Sequence, residues 1–134
     1  MVRLNKNLLT NNQLESLFTQ LDHSIGKLSA QQAPLFISGL LGKEEHIMLA
    51  KRLAAIVLLV EGKSLYRTAD ILKISPTTAE KLKYKLDRGE LDHLLSMLGK
   101  NKKEYFSFLQ KLDSILHLGG ILPHYNGLDR YRNL

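Results

Sequence analysis

Residues 43–61 constrain the fold more than any other segment, because they combine helical length with apolar residues on more than one side. The apolar residues of this segment are Ile47, Met48, Leu49, Leu53, Ile56, Val57, Leu59 and Val60. At about 100° per residue, these positions cover more than one face of a helix. Such a helix needs several neighbours to bury it, so we expect it to be the central helix of an all-α fold, within one chain or within a dimer.

A helix-turn-helix pattern follows this segment. Residues 64–72 predict one short helix, Lys73-Ile74-Ser75 a tight turn, and Ser75-Pro76 the start of a second helix. Serine is a favourable N-cap because its hydroxyl accepts from an unpaired N–H of the first turn. Proline suits the first helical position, where its missing N–H would have no partner in any case. We therefore place a helix-turn-helix at residues 64–87.

The two helices of this pattern have separate inner and outer faces. The inward residues expected in the first helix are Tyr66, Ala69, Ile71 and Leu72. Ala79, Leu82 and Leu86 recur at i, i+3 and i+7 and define the inward face of the second helix. The opposite face of the second helix carries Thr77, Glu80, Lys81 and Tyr84, flanked by Thr78, Lys83 and Lys85. This outer face is the one that we expect to meet a ligand.

The rest of the chain also predicts helices and no strands. Residues 1–10 read as a loose arm, and residues 11–100 as one helical domain that contains the helix-turn-helix. Capping patterns at Asn12, Ser29 and Asn101 predict three further helix starts. Residues 90–98 predict a short helix before the last of these. Residues 101–134 read as a C-terminal helix followed by an irregular tail.

The positive charge is concentrated around the helix-turn-helix. The chain has a net charge of +6, and residues 63–103 hold ten Lys/Arg against five Asp/Glu. A basic segment on a helix-turn-helix is typical of a protein that neutralises nucleic-acid phosphates. If charge were the only clue, an ordinary solvated helix face would be the favoured explanation of Lys81, Lys83 and Lys85.

Several other classes of function have no sequence support. The chain has no cysteine, no apolar run of the length that a membrane span needs and no secretory signal pattern, so we expect a cytoplasmic protein without disulfides. The five histidines are scattered, and no phosphate-binding glycine loop is present. Glu44 and Glu45 are better placed to stabilise a helix N-terminus than to act as an acid–base pair. We therefore expect neither catalysis nor a metal site.

The order of these elements resembles the Trp-repressor superfamily, particularly its short bacterial members. The resemblance extends over residues 14–98 and is strongest at residues 40–86. The segments that carry it are Leu40-Leu41-Gly42-Lys43-Glu44-Glu45, Lys51-Arg52-Leu53, Glu61-Gly62-Lys63-Ser64, Tyr66-Arg67-Thr68-Ala69-Asp70-Ile71-Leu72 and Ile74-Ser75-Pro76-Thr77-Thr78-Ala79. It implies an intertwined all-α homodimer that binds double-stranded DNA. In that family the second helix of each motif enters the major groove.

The resemblance does not extend to the family's tryptophan corepressor site. Arg52 matches one of the two arginines that shape the amino-acid pocket, but Lys81 stands at the other arginine and Gly42 at a threonine. Lysine lacks the planar guanidinium that can stack and bind in a fork. We therefore expect no tryptophan corepressor. Arg52 is either a contact for another small ligand or an ion-pair partner.

Taken together, these patterns predict a transcriptional regulator that binds DNA. The expected DNA-binding residues are Ser64, Arg67, Ser75, Thr77, Thr78, Glu80, Lys81, Tyr84 and Lys85. Glu80 would repel phosphates, although a carboxylate can accept from a cytosine amino group. The C-terminal extension is expected either to extend the dimer or to form an added arm for DNA or a protein partner through Tyr125, Arg130, Tyr131 and Arg132. The alternatives are a protein-interaction module on the same fold, which Glu80 and Tyr84 suggest, and a nonspecific nucleic-acid binder.

Overall fold

A computed structural model describes residues 8–118, which form seven α-helices and no strand. The helices are α1 (Asn11–Gly26), α2 (Gln32–Leu40), α3 (Lys43–Val60), α4 (Leu65–Leu72), α5 (Pro76–Asp87), α6 (Asp92–Gly99) and α7 (Lys102–Leu116). The all-α prediction is confirmed for this part of the chain. None of these helices is both long and apolar enough to cross a membrane.

Side-chain caps determine where most of the helices begin. The Ser64 and Ser75 hydroxyls accept from the N–H groups of Arg67 and Thr78, and the Asn101 side chain accepts from Glu104 N–H. Ser29 and Gln32 exchange the predicted hydrogen bonds of 3.0 and 3.1 Å. Helix α2 nevertheless begins at Gln32, and its N-cap Gln31 makes no side-chain capping bond.

The predicted cap of α1 is wrong. Thr10 rather than Asn12 is the N-cap of this helix, and it forms a capping box with Gln13. Thr10 and Gln13 have the same three-residue spacing as Asn12 and Glu15. Two competing caps therefore lie only two residues apart, and the earlier one adds two residues to the helix.

The ends of α3 and α4 shape the helix-turn-helix. At the end of α3, Gly62 has a φ of 96°, and Lys63 N–H donates to Leu58 C=O at 3.0 Å. This is the helix-terminating arrangement in which a glycine reverses the chain. At the end of α4, Lys73 takes left-handed backbone angles, with φ 55° and ψ 50°.

The described residues belong to two compact units, which divide within α3 between Leu49 and Ala50. In the second unit, all seven residues from Ala54 to Val60 are buried. The other buried apolar residues of its core are Leu72, Leu82, Leu86, Leu95, Tyr105, Leu109, Leu112 and Leu118. The C-terminal half of α3 is thus the enclosed central helix that the sequence predicts, and α7 contributes to the same core as the helix-turn-helix.

The first unit contains no buried residue between positions 8 and 49. The apolar face of α1 is exposed along its length, through Leu14, Leu17, Phe18, Leu21 and Ile25. Leu35 and Leu40 on α2 are also exposed, as are Ile47, Met48 and Leu49 at the start of α3. These helices are amphipathic as predicted, but the described residues leave their apolar faces exposed.

The first helix of the motif differs from the sequence prediction in its inward face. Ala69 and Leu72 are buried as expected, and Ile71 is partly buried, but Tyr66 is 74% exposed and Thr68 is fully buried. The helical period explains the error, because Thr68, Ala69 and Leu72 share one side of α4, while Tyr66 lies about 100° away from its centre.

Two predicted segments lie wholly or partly outside the described residues. Of the proposed N-terminal arm, only residues 8–10 are described, and these are not helical. The tail residues Tyr125, Arg130, Tyr131 and Arg132 fall outside the described range.

Candidate nucleic-acid interface

The candidate site is the outer face of α5 in the helix-turn-helix. Helices α4 and α5 pack against each other across a three-residue connection. Ala79, Leu82 and Leu86 of α5 are buried, as the sequence predicts. Burial of this side fixes the rotation of α5 about its axis, and therefore determines which side chains face solvent.

Five of the predicted DNA-binding residues lie together on the solvent side of α5. Tyr84 is 59% exposed, and Thr77, Glu80, Lys81 and Lys85 are also exposed. These residues and Glu90 line one open concavity. Its lining therefore combines two ammonium groups with two carboxylates, a phenol and a hydroxyl, which provides both hydrogen-bond donors and acceptors.

The predicted serine and threonine contacts have local structural roles as well. The Ser75 hydroxyl accepts from Thr78 N–H at 3.1 Å and lies 2.9 Å from the Thr78 hydroxyl. The Ser64 hydroxyl accepts from Arg67 N–H at 3.1 Å. Ser64 and Ser75 thus hold the starts of α4 and α5, and a contact with DNA would be additional to this role.

The C-terminal end of α5 carries a group that the sequence prediction did not include. Arg88 donates to the Tyr84 hydroxyl at 2.6 Å, and its guanidinium carbon lies 5.1 Å from the Tyr84 ring centroid. Arg88 also forms an ion pair of 3.2 Å with Glu90. The i, i+4 spacing of Tyr84 and Arg88 was the signal that could have identified this pair.

Other predicted residues lie on neighbouring helices. Arg67 is exposed on α4, and Arg52 is exposed on α3. Lys83, which was placed at the edge of the outer face, is partly buried and forms a 2.6 Å ion pair with Asp87. Within residues 8–118, no three histidines or carboxylates come together in a way that could hold a metal ion.

The connection between the two helices of the motif is fastened to α3. The Lys51 ammonium group donates to the Lys73 carbonyl at 3.2 Å. Lysine is favourable here because it places a positive charge beside the carbonyl-rich C-terminus of α4. The turn that leads into the candidate site is therefore tied to the central helix.

Comparison with known proteins provides no assignment for this site. No family model matches the chain, and neither the curated proteins nor the solved structures include a significant match.

Proposed function

We propose that this protein is a homodimeric, sequence-specific DNA-binding regulator of transcription with a Trp-repressor-like architecture, acting in the cytoplasm. The observation that carries the proposal is the outer face of α5. This face follows a capped start at Ser75-Pro76 and presents Thr77, Lys81 and Lys85 opposite a fully buried inner side. An exposed helix face of this kind fits the major groove, where side chains contact both phosphates and base edges.

The exposed apolar faces of the first unit support the dimer. Leu17, Phe18 and Ile25 of α1 are each at least half exposed. Contiguous apolar surface of this kind marks an interaction site in a stable protein. In the proposed dimer the occupant is the same unit of a second chain. The Trp-repressor-like architecture that we propose would supply two α5 helices for successive major grooves.

We further propose that tryptophan is not the effector. Lys81 belongs to the exposed face of α5, where it is available to DNA. The N–H of Gly42 is bound by the Glu45 carboxylate at 2.8 Å, so this position serves the start of α3. DNA binding is therefore expected without added tryptophan.

Selection from random DNA duplexes tests DNA recognition and symmetry together. The wild-type protein is expected to enrich a palindrome whose half-sites are separated by about one turn of DNA. Enrichment of a motif with no repeat would contradict the dimer, and enrichment of no motif would contradict sequence-specific binding.

Lys81→Ala tests which face of α5 contacts DNA. Loss of one phosphate contact is expected to weaken binding about tenfold and to reduce the salt dependence of log K by about one. Titration of a labelled duplex at two salt concentrations measures both quantities. Lys111→Ala on the exposed side of α7 is the matched control and should have no effect. Equal binding by Lys81→Ala and wild type would show that the assigned face is wrong.

A protein-interaction module is the second candidate, and the composition of the concavity favours it. Glu80 and Glu90 line the same surface as Lys81 and Lys85, and the Tyr84 ring is exposed between them. Exposed aromatic residues are enriched at protein interfaces, while carboxylates repel phosphates. A duplex selection that enriches no motif, together with Tyr84-dependent recovery of one protein partner, would favour this function.

A further inference from the structure

A buried carboxylate lies at the junction that leads from the central helix into the helix-turn-helix. Glu61 directly follows α3 and is only 7% exposed. The Tyr105 hydroxyl of α7 donates a hydrogen bond to Glu61 Oε2, and Tyr105 is itself only 4% exposed. Burial of a carboxyl group is destabilising unless it is hydrogen-bonded, and the Tyr105 hydroxyl supplies one such bond. The proposed DNA-binding function does not use either residue directly.

Glu61 lies close enough to α4 in the chain for this hydrogen bond to affect the position of α4. Only Gly62, Lys63 and Ser64 lie between Glu61 and the first residue of α4. Two of these are already fixed by hydrogen bonds to α3, since Gly62 N–H donates to Leu59 C=O and Lys63 N–H to Leu58 C=O. Ser64 is the N-cap of α4. The connection therefore has little freedom to absorb a displacement of Glu61, and a shift there would be passed to α4.

Helix α7, which carries Tyr105, is anchored in the hydrophobic core. Tyr105, Leu109 and Leu112 are buried in the same core as Leu72 of α4 and Leu82 of α5. A hydrogen bond has a narrow range of donor–acceptor distances and a preferred angle. Apolar packing alone permits small sliding movements, whereas this bond fixes one point of α7 against one point of the α3–α4 junction.

We propose that Tyr105 is a positioning residue for DNA binding, which acts through Glu61 to fix the direction in which α4 and α5 leave α3. This inference rests on the proposed DNA-binding function and assigns a role to the C-terminal helix. Under this proposal α7 contributes to DNA binding by holding α4 and α5 in position, without contacting DNA itself.

The experiment separates positioning from stability with a single and a double variant. Tyr105→Phe removes the hydroxyl and keeps the buried ring, but it leaves the Glu61 carboxylate without that donor. The double variant Glu61→Met, Tyr105→Phe removes both partners and leaves no buried carboxyl group, so its stability should equal or exceed that of the single variant. Tyr66→Phe, which removes the hydroxyl of an exposed tyrosine, is the matched control.

Duplex binding is measured at a temperature at which circular dichroism shows each variant to be folded. Both Tyr105→Phe and the double variant are expected to bind the enriched motif about tenfold more weakly than wild type. Glu61→Gln retains an oxygen that can accept from Tyr105, and it should bind within about twofold of wild type. If the double variant regains both stability and affinity, the bond contributes only stability and the proposal is overturned. Should Tyr105→Phe fail to fold, the DNA affinity of the folded double variant tests the proposal alone. Weaker binding than wild type supports it, and wild-type affinity overturns it.

Amide spectra of the free protein distinguish failure of this inference from failure of the proposed function. Loss of the bond is expected to shift the amide resonances of α4 and α5, including residues far from Tyr105. Shifts confined to the immediate neighbours of Glu61 and Tyr105 would overturn the positioning role, whatever the ligand. If the wild-type protein does not bind DNA but the variants show extended shifts, the DNA-binding function and the role of Tyr105 in it are overturned. The effect of the Glu61–Tyr105 bond on the positions of α4 and α5 would still stand.

Discussion

Thr68 is the only fully buried side chain of α4 among the described residues, and it is polar. Its exposed fraction is 0%, and its hydroxyl has no hydrogen-bond partner within the described part of the chain. A buried hydroxyl without a partner has lost its hydration and gained nothing in exchange. The shape of the threonine side chain, rather than its hydroxyl, therefore stabilises the core at this position.

Thr68→Val should be neutral or should raise the free energy of unfolding by up to about 1 kcal/mol, because valine has a similar shape and no hydroxyl. Urea denaturation measures this change. Thr77→Val on the exposed side of α5 is the control and should change stability by less than about 0.5 kcal/mol. Destabilisation of Thr68→Val by more than about 1 kcal/mol would show that the hydroxyl does have a stabilising partner.

Burial at single positions was only partly predictable from the sequence. Ala79, Leu82 and Leu86 were assigned correctly because three apolar residues repeat at helical spacing on one helix. Tyr66 was assigned wrongly, and Thr68 was left out of the inward face, because residue type was given more weight than helical phase. Tyrosine is large and apolar over its ring, yet its position on α4 directs it to solvent.

At the scale of the helices, the end of α4 departs from the usual chemistry of helix termini. Lys73 occupies left-handed backbone geometry, with φ 55°, where glycine is normally favoured because it lacks a Cβ. Its carbonyl nevertheless has a defined role, since it accepts from the Lys51 ammonium group. Only the side chain of Lys73 is therefore poorly suited to this position.

Lys73→Gly should raise the free energy of unfolding by about 0.5–1 kcal/mol, because glycine enters this backbone region without steric cost and keeps the carbonyl. Thermal or urea unfolding gives the measurement. Lys111→Gly, at an exposed position inside α7, provides the contrast and should lower stability by about 1 kcal/mol. A loss of stability in Lys73→Gly would mean that the lysine side chain itself stabilises the turn.

Several helix starts could be predicted from the sequence because caps act over only a few residues. Ser75 and Asn101 were identified by this local chemistry, whereas Ser64 was placed inside its helix and is in fact the N-cap. The α5 face followed from the same periodicity, so the location of the candidate site was also predictable. The left-handed residue at Lys73 was not predictable, because the turn contains no glycine to mark it.

At the scale of the whole molecule, the burial of the two units differs sharply. The second unit encloses a continuous core, whereas no residue between positions 8 and 49 is buried. The apolar side of α1 contributes five exposed residues to that surface, Leu14, Leu17, Phe18, Leu21 and Ile25. Its helical pattern was evident from the sequence, but no described residue covers it.

Phe18→Glu should convert the proposed dimer to a monomer, because it places a charge in the middle of the apolar face of α1. Sedimentation is expected to give about twice the chain mass of 15.2 kDa for wild type and the single-chain mass for the variant. Ser16→Glu adds the same charge to the opposite side of α1 and should remain dimeric. A wild-type protein that sediments as a monomer would contradict the dimer.

The pairing of Glu61 with Tyr105 was not predictable from the sequence. The two residues are 44 positions apart, and nothing near either one indicates the other. Local patterns specify helices, caps and faces, but they do not specify which buried polar groups meet across a core. The role of α7 in supporting the helix-turn-helix therefore emerged only from the three-dimensional structure.

The division of α3 between the two units has a consequence for how the chain folds. Its C-terminal half belongs to a core that one chain completes by itself, whereas its N-terminal half carries Ile47, Met48 and Leu49 in exposed positions. Under the proposed dimer, refolding should show a first phase whose rate is independent of protein concentration and a later phase that accelerates as concentration rises. A newly made chain would then acquire its helix-turn-helix before it meets a partner, and the abundance of the protein would determine how much of it becomes a complete regulator.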